Sequence, residues 1–200
     1  KDGEIVCFHD ADTERVAGAQ LVVRQSTLAE LKQLDVGASR GAAFNGTRIP
    51  TIAEVFATIP AGKKIFIEVK CGAEIIPTLL KQIDQSGLAQ EQIVVISFKQ
   101  EVIQQLKTQA PDIKASWLCS FNQQETGEIT PSLTAVLQTL KQIEADALSS
   151  NTAVPVSVIE AIRQQGYEWH VWTINDLQTA RRMQALGVLS ITTDVPGSMR

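Results

Sequence analysis

From residue 63 onward, apolar positions alternate between two rhythms. A two-residue beat or short unbroken run is followed each time by a three-to-four-residue helical beat. Ile65-Phe66-Ile67-Glu68-Val69-Lys70 predicts a strand, and Ile76, Leu79, Leu80 and Ile83 predict one helical face closed by Gly87. Ile93-Val94-Val95-Ile96 is continuous, as in a strand buried on both faces. Ser97 with Gln100 predicts the start of a helix carrying Val102, Ile103 and Leu106, and residues 115–119 predict a further strand. A polar loop over 122–131 precedes a helix around Val136, Leu140 and Ile143, then a short strand at Ala147-Leu148. Pro155 suits the first turn of a helix carrying Val158 and Ile162, with Gly166 just past its end. A strand over 168–174, a helix with Leu177, Ala180 and Met183, and a strand over 188–193 complete the pattern. Six strands alternating with five helices predict right-handed βαβ units and a parallel sheet.

The opening of the chain reads differently. Asp2-Gly3 before Ile5-Val6-Cys7-Phe8 signals a tight turn feeding a strand, whose other arm would lie before Lys1. Thr27-Leu28-Ala29-Glu30 and Thr51-Ile52-Ala53-Glu54 are capping boxes, followed by apolar residues at helical spacing: Leu31 and Leu34, then Val55 and Ile59. Residues 37–48 between them form a glycine- and alanine-rich loop.

No glycine-rich phosphate loop follows any strand, which disfavours a dinucleotide-binding open sheet. Polar residues instead gather at predicted carboxyl ends of strands: Glu68, Lys70, Ser97, Ser120, Ser149, Asn175 and Asp194. That ring favours an α/β fold of the TIM-type (β/α)8 barrel class. Such barrels take about 250 residues. Six strands in 200 residues therefore predict that the first two strands and first helix are absent from this chain. The expected organisation is one partial barrel domain over 1–200, with 11–62 as a loop and short-helix insertion over its mouth.

Composition narrows the function classes. With 44% hydrophobic and 20% charged residues, the chain is ordinary globular material. A net charge of -4 offers no footprint for nucleic acid, and no apolar run is long enough for stable membrane insertion. Cys7, Cys71 and Cys119 have no metal-ligand spacing; their apolar settings predict buried small hydrophobes and favour a reducing, cytoplasmic compartment. A chain beginning inside a hairpin leaves the question of a leader, and so of compartment, open. Composition leaves oligomeric state open too.

His9, one of two histidines, ends the first predicted strand beside Asp10. A histidine placed by a short rigid segment suits general acid–base work, the plainer role being a surface or capping residue. Glu68 and Lys70, two apart on a strand, leave the same face. Chemically, Glu68 suits a hard-cation oxygen ligand and Lys70 a phosphate or developing negative charge; structurally, they suit a simple ion pair. His170 shares a face with Trp172 and reads as a core histidine hydrogen-bonded to a neighbour.

Several stretches together resemble the glycerophosphodiester phosphodiesterase family, in the family's order and over nearly the whole chain. They are Lys1-Asp2-Gly3 with His9-Asp10; Leu34-Asp35-Val36-Gly37-Ala38; and Gly46 to Val55. Ile67-Glu68-Val69-Lys70, Ile96-Ser97-Phe98, Val171 to Asn175 and Ile191 to Pro196 complete the set. The resemblance implies a barrel of the phosphatidylinositol phospholipase C type that splits glycerophosphodiesters into glycerol 3-phosphate and an alcohol. It implies two acid–base histidines and one divalent cation, Mg2+ or Ca2+. His9 matches the second family histidine, Glu68 one of three metal carboxylates, and Lys70 the basic residue near the phosphate. Trp172 matches an aromatic at the mouth that packs on the glycerol or alcohol group, and Asp10 is expected to orient the loop or His9. The first family histidine and the other two carboxylates have no counterpart here, so this stretch alone should be nearly inactive. Arg15-Val16 stands where the family commonly has Arg-Thr-Thr, which puts the loop contacts there in question. The competing functions are a phospholipase of the same superfamily and a catalytically lapsed barrel serving as a binding module.

Overall fold

The structure, a computed structural model, describes residues 1–199. Its contacts divide the chain into two units, Lys1–Lys63 with Pro77–Leu88, and Lys64–Ile76 with Ala89–Arg200.

The first unit contains short helices α1 (Glu14–Ala17), α2 (Leu28–Leu31) and α3 (Ile52–Phe56), and most of α4 (Ile76–Gln85). Both capping boxes form as the sequence predicts. Thr27 accepts from the Glu30 amide and Thr51 from the Glu54 amide, while each glutamate accepts from its threonine's amide at 2.7 Å. The Asp2-Gly3 segment turns, with Gly3 at φ 87°. Asp2 does more than turn, however: its carboxylate accepts from the Leu28 amide at 2.8 Å, satisfying an orphan donor of α2. Residues 5–7 run extended against residues 50–52. Val6 bridges Thr51, Cys7 N donates to Pro50 O, and Ile52 N to Ile5 O, each at 2.9 Å. The loop over 37–48 is gathered by Asp35, which accepts from the amides of Gly37, Ala38 and Gly46. Gly37 is obligatory there, since a Cβ would lie 1.9 Å from Phe44 O.

The second unit is built on strands β1 (Ile65–Glu68), β2 (Ile93–Ser97), β3 (Lys114–Cys119), β6 (Ala147–Ser150), β7 (Glu168–Val171) and β8 (Ser190–Ile191). Between β3 and β6 lies a small antiparallel hairpin, β4 (Asn122–Gln123) and β5 (Ile129–Thr130), where the sequence predicts only loop. The six main strands are all parallel and ordered as in the chain, β1-β2-β3-β6-β7-β8. Helices α5 (Gln100–Gln109), α6 (Leu133–Gln142), α7 (Val156–Gln164) and α8 (Leu177–Ala185) alternate with them. This is the α/β plan of a partial (β/α)8 barrel.

Alternation separates the two faces of each strand. Ile67, Val69, Ile93, Val95, Ala115, Leu148, Trp169 and Val171 form a buried apolar set on one face. The other face carries Phe66, Glu68, Ser116, Ser149 and His170. Two hydrogen bonds tie that face together. Ser116 Oγ lies 2.7 Å from Ser149 Oγ, and His170 Nδ1 lies 2.8 Å from Ser190 Oγ. Ser149 is therefore 2% exposed and bonded within the sheet, whereas the sequence placed it in a ring at the strand ends. Ser97, expected to open α5, ends β2 instead; its hydroxyl donates to Val69 O at 2.7 Å and clips β1 to β2. Of the cysteines, Cys119 is buried, Cys7 half-buried and Cys71 exposed, so only Cys119 fully matches the expected core role. Among the described residues no helix is long and apolar enough to cross a membrane.

Candidate active site

The predicted site residues fall in both units. His9 and Asp10 belong to the first, and Glu68, Lys70 and Trp172 to the second.

In the first unit, the extended segment pinned to residues 50–52 delivers His9 two residues past Cys7. His9 Nδ1 lies 2.7 Å from Asp10 Oδ1. The other oxygen, Asp10 Oδ2, accepts from Arg15 Nε at 2.6 Å. The Arg15 hydrogen bond first, and that of His9 second, hold the Asp10 carboxyl down at about 2, so it is an anion at neutral pH. Arg15 is missed as a site residue by the sequence. Its signals there are the resemblance at Arg15-Val16, which assigns it no role, and a cation five positions after a carboxylate, a spacing that implies no contact.

In the second unit, β1 places Glu68 and Lys70 at its carboxyl end. Lys70 Nζ donates to Glu68 Oε1 at 3.1 Å, with both side chains about one-third exposed. Phe66, one step down the same face, meets the His170 ring edge-on at 5.4 Å between centroids. Glu68 thus points to the face that His170 occupies. Past the end of β7, Trp172 is held by its amide, which donates to Ser150 O at 2.9 Å. Its ring meets Phe98 edge-on, with centroids 5.5 Å apart and planes at 78°. Phe98 is 48% exposed, a wide apolar surface beside a tryptophan at the carboxyl end of the strands. Nearby, Asn175 Nδ2 donates to Asp194 Oδ2 at 2.8 Å and Asn175 Oδ1 accepts from the Asp194 amide, bracing the ends of β7 and β8.

His170 is the buried imidazole its position predicts, with its side chain 7% exposed. Burial first depresses its pKa below the ordinary histidine value, the Glu168 carboxylate opposing and Lys114 and Lys64 adding to the effect.

A carboxylate and an ammonium at the end of a parallel barrel strand suit charge stabilisation on an anionic substrate. A family comparison resolves which kind. The model of the glycerophosphoryl diester phosphodiesterase family matches residues 1–198. The chain belongs to that family. Among members of the glycerophosphodiester phosphodiesterase family, the enzyme of Caldanaerobacter subterraneus subsp. tengcongensis is 31% identical over 208 residues, covering 100% of this chain and 80% of the relative. A Bacillus subtilis glycerophosphodiester phosphodiesterase is 24% identical over 214 residues, covering 98% and 71%. A solved Oleispira antarctica phosphodiesterase, in complex with the product sn-glycerol-3-phosphate, superposes with a TM-score of 0.87 at 25% identity, over 98% of this chain and 78% of that one. The glycerophosphodiester phosphodiesterase of Agrobacterium tumefaciens shares the fold, with a TM-score of 0.79 at 18% identity, over 100% and 82%.

Proposed function

We propose that the phosphodiesterase-family protein containing this chain hydrolyses glycerophosphodiesters to glycerol 3-phosphate and an alcohol, with His9 as a proton-transfer group and Lys70 as the cation facing the phosphoryl oxygens. The observation that carries the reading is the family match across residues 1–198, the stretch that also contains the His9-Asp10 and Glu68-Lys70 pairs. The glycerol 3-phosphate held by the Oleispira relative supports the substrate class.

Cleaving a phosphodiester requires three things: charge stabilised on the phosphoryl oxygens, a proton taken from the nucleophile, and a proton given to the leaving alcohol. Lys70 answers the first and His9 one of the proton steps. Trp172 offers a flat apolar surface for the glycerol or alcohol moiety. Asp10 holds the His9 ring by Nδ1.

A divalent cation, Mg2+ or Ca2+, would take Glu68 as an oxygen ligand and supply further positive charge to the phosphate. Ca2+ needs six to eight oxygens, and Mg2+ sits in an octahedral shell usually completed by water. Among the described residues, no group of three or more His, Cys, Asp or Glu side chains could hold such an ion. Glu68, already paired with Lys70, is one carboxylate and does not make the site alone. No step above is routed through the cation.

The test is release of glycerol 3-phosphate from glycerophosphocholine by the full-length protein with added Mg2+ or Ca2+, and again with EDTA. His9→Ala and Glu68→Ala should each abolish most turnover, and EDTA should do the same. Wild-type rates in both variants would overturn the assignment.

A further inference from the structure

We propose that Arg15 is a positioning residue for His9: it locks the Asp10 carboxylate so that His9 is held by Nδ1 and exchanges its proton at Nε2. This rests on the reading of His9 as a proton-transfer group.

The argument starts from how little an adjacent His-Asp pair achieves alone. The His9 side chain is 74% exposed, and an exposed pair between neighbouring residues is weak because both side chains rotate against water. A third group changes this. Asp10 has two oxygens, and each has one partner: Oδ1 meets His9 Nδ1 at 2.7 Å and Oδ2 meets Arg15 Nε at 2.6 Å. One N–H···O bond from the planar guanidinium restrains the Asp10 carboxylate on its Oδ2 side and leaves Oδ1 toward the imidazole.

Arg15 can act as a fixed point because its own turn is anchored. It lies on α1, two residues after Thr13, and Thr13 is fully buried. The Thr13 amide donates to Leu21 O at 3.1 Å, its hydroxyl donates to Ala19 O, and the Leu21 amide donates back to that hydroxyl. Val23 N donates to Ala11 O at 3.0 Å, closing the loop from the other side. Gly18, at φ 67°, ends α1 with its amide on Glu14 O. The guanidinium thus hangs from a loop tied at both ends.

The chemical consequence concerns the tautomer. An ionised carboxylate only accepts hydrogen bonds, so the imidazole nitrogen facing it must carry a hydrogen. Neutral His9 then has its hydrogen on Nδ1 and its lone pair on Nε2. A proton taken up arrives at Nε2, and a proton given away leaves from Nε2; Asp10 stays ionised throughout. Outer partners of this kind fix ring orientation and basicity in metal-ligating histidines, where their loss typically lowers metal affinity or activity roughly 10- to 100-fold.

The experiment is nitrogen NMR of the protein labelled with ¹⁵N-histidine, at about pH 8.5, two units above ordinary histidine titration. The His9 signals are assigned by their loss in His9→Ala, and turnover is measured on the same samples. Wild-type protein should show His9 mainly as the Nδ1–H tautomer. Arg15→Ala should shift it toward the Nε2–H form and lower kcat roughly ten-fold with KM little changed. Arg15→Lys, which keeps the charge but not the planar donor, should restore only part of both. Arg15 is two-thirds exposed, so the melting temperature should hold. Unchanged ring shifts or unchanged kcat in Arg15→Ala, beside an inactive His9→Ala, would overturn this proposal alone. Wild-type turnover in His9→Ala would overturn the proton-transfer reading and the proposal with it.

Discussion

Lys107 Nζ meets Asp146 Oδ2 at 2.9 Å, and the lysine, on α5, has only 9% of its side chain exposed. The ammonium also donates to Pro111 O at 2.5 Å, and Asp146 Oδ2 accepts from the Ala115 amide at 2.8 Å. The pair therefore fastens α5 to the starts of β3 and β6. Removing one member strands the other charge in a partly dry site. Lys107→Ala should cost about 1–3 kcal/mol of unfolding free energy, read as a fall in the urea midpoint. Lys107→Met, which refills the volume, should cost less than Lys107→Ala. Equal losses would show that the lost charge pair, not the lost volume, accounts for the cost.

His170 makes stability depend on pH in a defined window. Its folded pKa is lowered, so as pH falls below the ordinary value of 6.5 the unfolded chain binds the proton first. The stability from neutral His170 is complete above 6.5 and drains as pH falls toward the lowered folded value. Glu168, Lys114 and Lys64 are the charged groups acting on the ring. The urea midpoint of the wild type should fall between about pH 7.5 and about pH 5.5, and His170→Gln should flatten that slope. The carboxylates with lowered values, among them Asp2, Asp10, Asp35 and Glu54, act at more acidic pH. An unchanged slope in His170→Gln would assign the window to other groups.

Lys70→Met should lower kcat of the full-length enzyme by about 10²–10³, the loss typical of removing one charge-stabilising donor from a transition state. Circular dichroism should be unchanged, since the lysine is about one-third exposed and pairs with Glu68 at the strand end. A change confined to KM would recast Lys70 as a ground-state binding residue.

Trp172→Ala should raise KM for glycerophosphocholine between roughly two- and ten-fold, matching the roughly 0.5–1.5 kcal/mol an aromatic contact adds. Phe98→Ala should produce a smaller change in the same direction, because Phe98 buttresses the tryptophan edge-on. Steady-state kinetics on both variants separates the two roles.

Thr51→Ala should destabilise the protein by about 1 kcal/mol, the usual loss for an N-cap hydroxyl. Glu54→Ala should cost at least as much, since Glu54 returns the capping bond to the Thr51 amide and also receives Lys32 at 2.5 Å. Thermal melts of the two variants and their double mutant would measure the coupling.

What could be read from the chain follows the range of the interactions. The capping boxes at Thr27 and Thr51 were legible because a hydroxyl and a carboxylate three residues apart on one turn have only each other's amides to reach. The alternation of β1 put Glu68 and Lys70 on one face before any partner strand was known. His9 and Asp10 are adjacent, so their contact needed no fold. Asp2 was legible as a turn residue but not as a cap for α2, because the Leu28 amide it satisfies comes from a loop return.

The sequence by itself determined the order of strands and helices, the parallel sheet and the family motifs, since each depends on periodicity or on residues a few positions apart. The tertiary structure decided the rest: Asp10 shared between His9 and Arg15, Phe98 set against Trp172, Ser116 joined to Ser149, and Lys107 fastened to Asp146. These pairs are made by loop closure and strand register. Side chains far apart in the chain meet only after backbone hydrogen bonds and apolar burial have fixed where each strand lies beside the next.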